Sequence, residues 1–293
     1  MKRFLVLANP SSHGGRSGRI LSLLRELLSE GEFVVLKNIE EASRLAREAT
    51  GYEAVVACGG DGTVNAVARG VLANRDNALK FGVLYTGTSP DFCREHGIPT
   101  DAEEAVAVLR AGVVREIPVL TANGDSFFCS MNLGMGAMVA ATANRLRPLL
   151  GDALGTLWPV LREVLHGRRY DVQVNGEKIC NVAHAFVTRM PRIAGGLKVA
   201  LPPLADDEYA LWFARDVSRF GCLRIVWNLY RGNPCGELRV LRGKTTFASV
   251  NHVALEYDGD PHGALPVAVG FAPRRLRLLV PKCKGESSCA NKI

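Results

Sequence analysis

Long uncharged apolar runs are nearly missing from this 293-residue chain. From Ser126 to Asn144 no charged residue occurs, but Ser126, Ser130, Asn132, Gly134, Gly136, Thr142 and Asn144 interrupt the stretch. It therefore reads as a buried segment, since a bilayer span needs about 20 predominantly apolar residues. The first apolar run, Phe4 to Ala8, is too short for a signal-peptide core and stops at Asn9-Pro10. Cys-x-x-Cys pairs and Cys/His clusters at zinc spacing are absent too. The eight cysteines, at 58, 93, 129, 180, 222, 235, 283 and 289, are expected to be reduced thiols of a cytoplasmic protein.

Internal repeats, low-complexity linkers, helix-turn-helix spacing and basic strands interleaved with aromatics are lacking as well, so nucleic acid is not an expected partner. Two phosphate-binding motifs fail on single residues. Gly243-Lys244-Thr245 would end a P-loop only with glycine at 238, where Leu238 stands; Gly134-x-Gly136 lacks the third dinucleotide-fingerprint glycine, because position 139 is Val139. Acidic surplus is also absent: 36 Lys+Arg against 29 Asp+Glu leave net +7, which favours anionic partners such as nucleotide phosphates or acidic lipid headgroups.

At about 150 residues per domain the length predicts two domains, and 47% apolar with 22% charged residues is ordinary globular usage. Up to about residue 120 the apolar period alternates. Phe4–Ala8, Phe33–Leu36, Ala54–Cys58 and Phe81–Tyr85 read as strands. Helical stripes separate them: Ile20 to Leu28, Ala42 to Ala49, and Val64 to Leu72. Strict alternation predicts a doubly wound α/β domain over 1–120 with a parallel sheet, which takes ligands beyond the carboxyl ends of its strands. From 121 to 281 short apolar segments flank Asn123-Gly124, Asn175-Gly176 and Asp258-Gly259, dipeptides suited to two-residue hairpins. A β-rich second domain follows, interrupted by a helix over Leu146–Leu165 with a kink expected at Pro159. Residues 282–293 form a frayed tail.

CGGDGTVNAV, residues 58–67, carries the sharpest local signal, because it joins a buried strand to a helix. Gly59, Gly60 and Gly62 would let the backbone turn tightly beside a phosphate, and the helix that follows offers unpaired N–H groups and its positive dipole end. Asp61 would be repelled by phosphate unless a cation stood between them, which suits nucleotide-bound Mg²⁺. A plain strand-to-helix turn with Asp61 as a cap needs the same residues, so spacing alone leaves both readings open.

GGDGTVN, preceded by Asn9-Pro10 with Gly14, Gly15 and Gly18 and followed by Gly87-Thr88-Ser89-Pro90-Asp91-Phe92, resembles the diacylglycerol kinase catalytic-domain family, which includes sphingosine, ceramide and bacterial lipid kinases. The likeness continues through FCSMNLGMGAMV (128–139), AGGLKVALPPLADDEYALWF (194–213) and LEYDGD (255–260). It implies ATP-dependent phosphoryl transfer to a lipid hydroxyl, such as that of diacylglycerol or a sphingoid base. The fold implied is a nucleotide-binding α/β domain followed by a β-sandwich domain, with the cleft between them as the site. By motif position Gly59, Gly60, Asp61, Gly62, Thr63, Asn65 and Thr88 would hold ATP, with Asn9 near the nucleotide. Asp207, with the carbonyls of Leu204 and Tyr209, falls where bacterial relatives bind a structural Mg²⁺; a solvated acidic turn is the other reading.

Asp258-Gly259-Asp260 stands where the family usually has Asp-Gly-Glu, whose last acid accepts the hydroxyl proton. Asp260 is thus the expected base, supported by Asp258, with Asp61 as the third catalytic acid. Four further positions differ from the family pattern: Ser89-Pro90 replaces an Asn-containing pair, Ala66 a Glu, Glu208 a Gly, and Leu36-Lys37-Asn38 lacks a threonine. A soluble-substrate kinase similar to NAD kinase, or a relative that binds without turnover, are the alternatives; the first lacks that family's downstream Asn-Glu. Arg145, Arg147, Arg162, Arg168, Arg169, Arg274, Arg275 and Arg277 are candidates for peripheral contact with anionic membrane. Whether the chain forms a homodimer is left open.

Overall fold

The computed structural model describes residues 2–11 and 17–282. Gly14 and Gly15, Cys283 and Cys289, and all but the first residue of the 282–293 tail lie outside the described residues. The chain divides into two compact units, 1–117 with 275–293, and 118–274.

In the first unit the expected alternation is present. Phe4–Ala8 (β1), Gly31–Val35 (β2), Ala54–Gly59 (β3) and Lys80–Tyr85 (β4) are separated by Ser17–Leu27 (α1), Ile39–Glu48 (α2) and Asp61–Leu72 (α3). Two further helices follow, Asp91–His96 (α4) and Ala102–Ala111 (α5), before the strand Val114–Ile117 (β5). Local chemistry sets the ends of α5: the Asp101 side chain accepts from Glu103 N and Glu104 N, and Gly112 closes it at φ 66°. The pattern of strand and helix periods did not point to either of these helices.

The first four strands run parallel in the order β2-β1-β3-β4. Residues at period two then face opposite layers. Phe4, Val6, Ala8, Ala54, Val56 and Cys58 pack with Leu24 of α1, Leu28 just beyond it, and Ala105, Val106 and Leu109 of α5. Leu5, Leu7, Val55 and Ala57 between them are buried too, so both faces of the sheet are covered. The chain leaves β1 for one side of the sheet and returns on its other side as β3. The carboxyl ends of β1 and β3 therefore flank the topological switch point, where ligands of such sheets bind.

The second unit is built from antiparallel strands: Leu120–Ala122 (β6), Asp125–Phe127 (β7), Ser130–Gly134 (β8), Tyr170–Val174 (β9), Glu177–Thr188 (β10), Arg192–Ile193 (β11), Leu197–Lys198 (β12), Glu208–Arg215 (β13), Glu237–Arg242 (β14), Thr245–Ala248 (β15), Ala254–Tyr257 (β16), Asp260–Ala264 (β17) and Val267–Phe271 (β18). Long β10 joins two groups: its first part pairs with β9, its second with β8 and β13, and the register shifts near Asn181, which has φ 56°. Side chains from both groups close on one core that includes Phe127, Met131, Val172, Val187, Tyr209, Phe213, Phe247, Leu255 and Val269. That shared core is the sandwich the family likeness implied.

All three expected hairpins form, with positive φ at both turn residues: Asn123 and Gly124, Asn175 and Gly176, Asp258 and Gly259. Met135–His166 (α6) begins earlier than the expected Leu146 and continues through Pro159. The side chains of Arg145 and Arg147 lie outside the described residues. Arg219–Arg231 (α7) packs by Cys222 against Val164 of α6, and by Leu229 in a cluster with Phe186 and Trp212. Among the described residues no helix is long and apolar enough to cross a membrane.

One boundary differs from expectation. The second domain was expected to run to 281, yet Leu276–Leu279 (β19) belongs to the first unit, parallel to β4 and antiparallel to β5. Leu276, Leu278 and Leu279 are nearly fully buried there. A four-residue apolar run near the chain end does not itself say which sheet will bury it.

Candidate active site

At the switch point, residue 59 must be glycine on steric grounds: a Cβ there would lie 2.4 Å from Thr63 Oγ1. A Cβ on Gly87 would come within 2.6 Å of the Gly60 Cα, so the β3 turn and the β4 turn meet backbone to backbone. Gly60 is the N-cap of α3 and supplies no capping side chain. The first-turn amides of α3 thus remain available for an anion at the positive end of the helix dipole. Asp61 is the first helical residue rather than the cap, and its Oδ2 accepts from the Tyr85 hydroxyl at 3.0 Å.

Tyr85, at the end of β4, was not among the expected site residues. Its oxygen also accepts from Ser89 N at 3.1 Å, which ties the Gly87–Ser89 segment to Asp61. Burial, then the adjacent Asp61 charge, push the phenol far above its ordinary pKa, so it remains a donor. Asn9 caps the end of β1: Nδ2 donates to Thr63 Oγ1 at 3.0 Å and Oδ1 accepts from Ser11 N at 3.0 Å. Thr63 and Asn65 are buried, and Asn65 Oδ1 has no hydrogen-bond partner among the described residues. Gly62 and Thr88 are exposed. Asn9, Gly59, Gly60, Asp61, Thr63 and Gly87 form one cluster; the residues that would carry ATP and Mg²⁺ fit an anion cradle with one acid beside it.

A second cluster of acids lies on the β16–β17 hairpin of the second unit. Asp258 bends back to accept from Phe128 N at 2.9 Å and Cys129 N at 2.8 Å, tying the turn to the β7–β8 connection. Its carboxylate is therefore a structural tie. Asp260 opens β17 and is exposed, opposite Tyr257. Glu256, which the motif reading passed over, is 3% exposed, accepts from Asn132 Nδ2 at 2.7 Å and from Gly259 N, and is pushed up to about 8 by burial. The signal for it was a charged residue inside an apolar strand, Leu255-Glu256-Tyr257. The Tyr257 ring stacks on His262 at 3.5 Å.

The third expected group lies on the loop that leads into β13. Arg189 Nη1 donates to Ala205 O at 2.9 Å and to Glu208 O. Arg242 pairs with Glu208 Oε1 at 2.7 Å and with Asp207 Oδ2 at 3.3 Å. Tyr209 is fully buried in β13, and Leu204 is half-buried in the loop before it. Two guanidinium groups thus meet this loop, Arg189 at the carbonyls of Ala205 and Glu208 and Arg242 at the carboxylates of Asp207 and Glu208. Among the described residues no group of three or more His, Cys, Asp or Glu is placed to hold a metal.

The first unit is a doubly wound α/β domain with an anion cradle at its switch point, and the second is antiparallel with a buried acid on a hairpin. The diacylglycerol kinase catalytic domain model matches residues 3–122. A "Probable lipid kinase YegS-like" protein of Pseudomonas aeruginosa is 37% identical over 253 residues, 82% of each chain. Diacylglycerol kinase of Bacillus subtilis is 27% identical over 98% of this chain and 99% of its own. A solved chain from Bacillus anthracis str. Sterne superposes with TM-score 0.76 at 17% identity, covering 96% of this chain and 97% of that one. The chain belongs to the diacylglycerol kinase catalytic-domain family.

Proposed function

We propose that this chain is an ATP-dependent lipid kinase that passes the γ-phosphoryl group to a hydroxyl of a lipid such as diacylglycerol or a sphingoid base. The observation that carries the proposal is the uncapped first turn of α3 beside Asp61, held by Tyr85 at the carboxyl ends of β1 and β3. Triphosphate oxygens are the anions such a turn suits, and binding through main-chain N–H groups needs no lysine. Asp61 would hold the nucleotide's Mg²⁺, which when bound neutralises charge on the transferring group.

In the second unit, Asp260 is the exposed carboxylate of the hairpin and takes the hydroxyl proton in this proposal. Asp258 and Glu256 act as positioning residues: one ties the turn to Phe128 and Cys129, the other fixes Gly259. The proposed setting is cytoplasmic, with peripheral attachment to membrane. Of the candidate arginines for that contact, Arg169 donates to Val217 O, and Arg277 binds Ala78 O and Glu116. Arg162 and Arg168 are exposed.

Turnover of Mg·ATP with a panel of diacylglycerol, sphingoid base, ceramide and NAD tests the proposal. Phosphorylation of one lipid is the expected result. Binding of nucleotide with no acceptor phosphorylated would favour a non-catalytic binder, and phosphorylation of NAD alone would replace the lipid reading.

A further inference from the structure

Helix α7 carries apolar residues on two faces. Cys222 and Leu229 point into the second unit, while Phe220, Leu223, Trp227 and Tyr230 stand outward at 84%, 40%, 61% and 51% exposure. The outward four recur at i, i+3, i+7 and i+10, a straight helical stripe. Its neighbour α6 ends in a similar stripe of Trp158, Leu161 and Leu165, 58%, 39% and 59% exposed. The two helices meet through Val164 and Cys222, with Val160 packed beside them.

We infer that the outward face of α7, continued by the last turns of α6, docks on a bilayer surface bearing anionic headgroups. The inference deepens the lipid-kinase reading and rests on it for its purpose. A stripe of large apolar and aromatic side chains exposed on one helix face is a feature that folded proteins reserve for a partner. Charge selects which partner. Arg219, Arg224 and Arg231 on α7 and Arg162 on α6 are all exposed, α7 contains no Asp or Glu, and Glu163, the acid in the last turns of α6, is buried. Exposed acids, which would oppose an anionic surface, are therefore missing from both stretches. The Arg231 guanidinium lies 5.7 Å over the Trp227 ring, an arrangement that keeps a cation beside a ring suited to the headgroup level. Apolar stripe, flanking arginines and aromatic residues together are the composition of a helix that lies in the interface plane.

The test uses the full chain with phosphatidylcholine vesicles, with and without phosphatidylglycerol. Trp212 is 2% exposed, so a W158F variant leaves Trp227 as the exposed reporter. Cosedimentation with the anionic vesicles and quenching of Trp227 by brominated acyl chains are expected. F220Q/W227Q and R219Q/R224Q/R231Q should each weaken partitioning on the order of 10²-fold, given the burial value of two large apolar side chains in the one and of three arginines at such a surface in the other. Both variants should keep the parent melting temperature, since the side chains removed are exposed. Turnover of a short-chain, water-soluble diacylglycerol should stay unchanged while that of bilayer-embedded diacylglycerol falls. Unchanged partitioning in both variants, an unquenched Trp227, or a vesicle-free dimer that shields Trp227 from aqueous quencher would overturn the inference. Vesicle binding without phosphorylation of any lipid would defeat the kinase reading and leave docking intact; turnover of the soluble acceptor without vesicle binding would do the reverse.

Discussion

The Tyr85 hydroxyl donates to the Asp61 carboxylate at 3.0 Å, joining the end of β4 to the first residue of α3. This hydrogen bond helps to set the angle of the acid of the glycine turn, and the same oxygen accepts from Ser89 N. Asp61 therefore depends on a residue 24 positions away. Hydrogen bonds to charged groups contribute about 1.5–3 kcal/mol, so Y85F is expected to lower kcat about tenfold or more while the fold survives. D61A should abolish transfer with little change in melting temperature; kinase activity that persists in D61A would remove its assigned role.

Gly59 permits no side chain. Its Cβ would fall 2.4 Å from Thr63 Oγ1 and 2.5 Å from Thr63 Cβ, both on the rigid first turn of α3. G59A should destabilise the first unit by about 1–3 kcal/mol, as overpacking does, and should weaken nucleotide binding more than a distant substitution of equal thermal cost. Calorimetry with Mg·ATP beside a thermal melt separates the two effects. Unaltered affinity would place the nucleotide elsewhere.

Asp260 is one methylene shorter than the family's usual glutamate. In the proposed mechanism D260E restores reach toward the acceptor hydroxyl and should preserve or raise kcat, while D260N should lose on the order of 10²-fold or more. Steady-state kinetics on the accepted lipid decide it. Full activity in D260N would move the base to another group.

Glu256 gives a pH signature. Burial raises its folded pKa from 4.5 to about 8, so the folded state retains a proton that the unfolded state has lost. Its contribution to stability is then greatest below 4.5 and declines as pH rises through 8. E256Q, which cannot ionise, should match the parent near pH 5 and exceed it by a margin that grows as the pH rises to about 8. His184 works at the opposite end. Buried and held down to about 4, it withdraws stability as pH falls from 6.5 through 4. Thermal melts across pH should show E256Q flattening the alkaline limb alone; a variant equally or less stable at every pH would refute the assignment.

Arg189 fills the 205–208 loop. Removing it as R189M leaves the carbonyls of Ala205 and Glu208 without that donor and should cost about 1–3 kcal/mol. Chelation should leave the melting temperature of the parent chain unchanged. A drop on adding EDTA, restored by Mg²⁺, would show a structural ion here after all.

Much of the fold was legible because it rests on local rules. Period-two runs such as Phe4–Ala8 and helical stripes such as Val64–Leu72 declare their own structure, and Asn-Gly or Asp-Gly pairs tolerate the positive φ a hairpin turn needs. GGDGTVN was readable for the same reason, since the motif lies in seven consecutive residues. Asp101 and Gly112 bracket α5 with ordinary capping signals that apolar periodicity alone passes over.

What remained depended on partners far apart in the chain. Tyr85 meets Asp61, Asn132 meets Glu256, and Arg189 meets the 205–208 loop only once the strands carrying them have paired. Asp258 reads as a catalytic acid by motif, yet its two oxygens are aimed at amides about 130 residues earlier. Membership of β19 in the first sheet is a choice between two apolar surfaces, which a four-residue run cannot express. The amino-acid order by itself determined the periods, the turns and the glycine-acid motif, because these are settled within a few residues. Only tertiary structure decided which acids are tied, buried or exposed, because a carboxylate's role follows from the donors and the solvent that the whole fold brings to it.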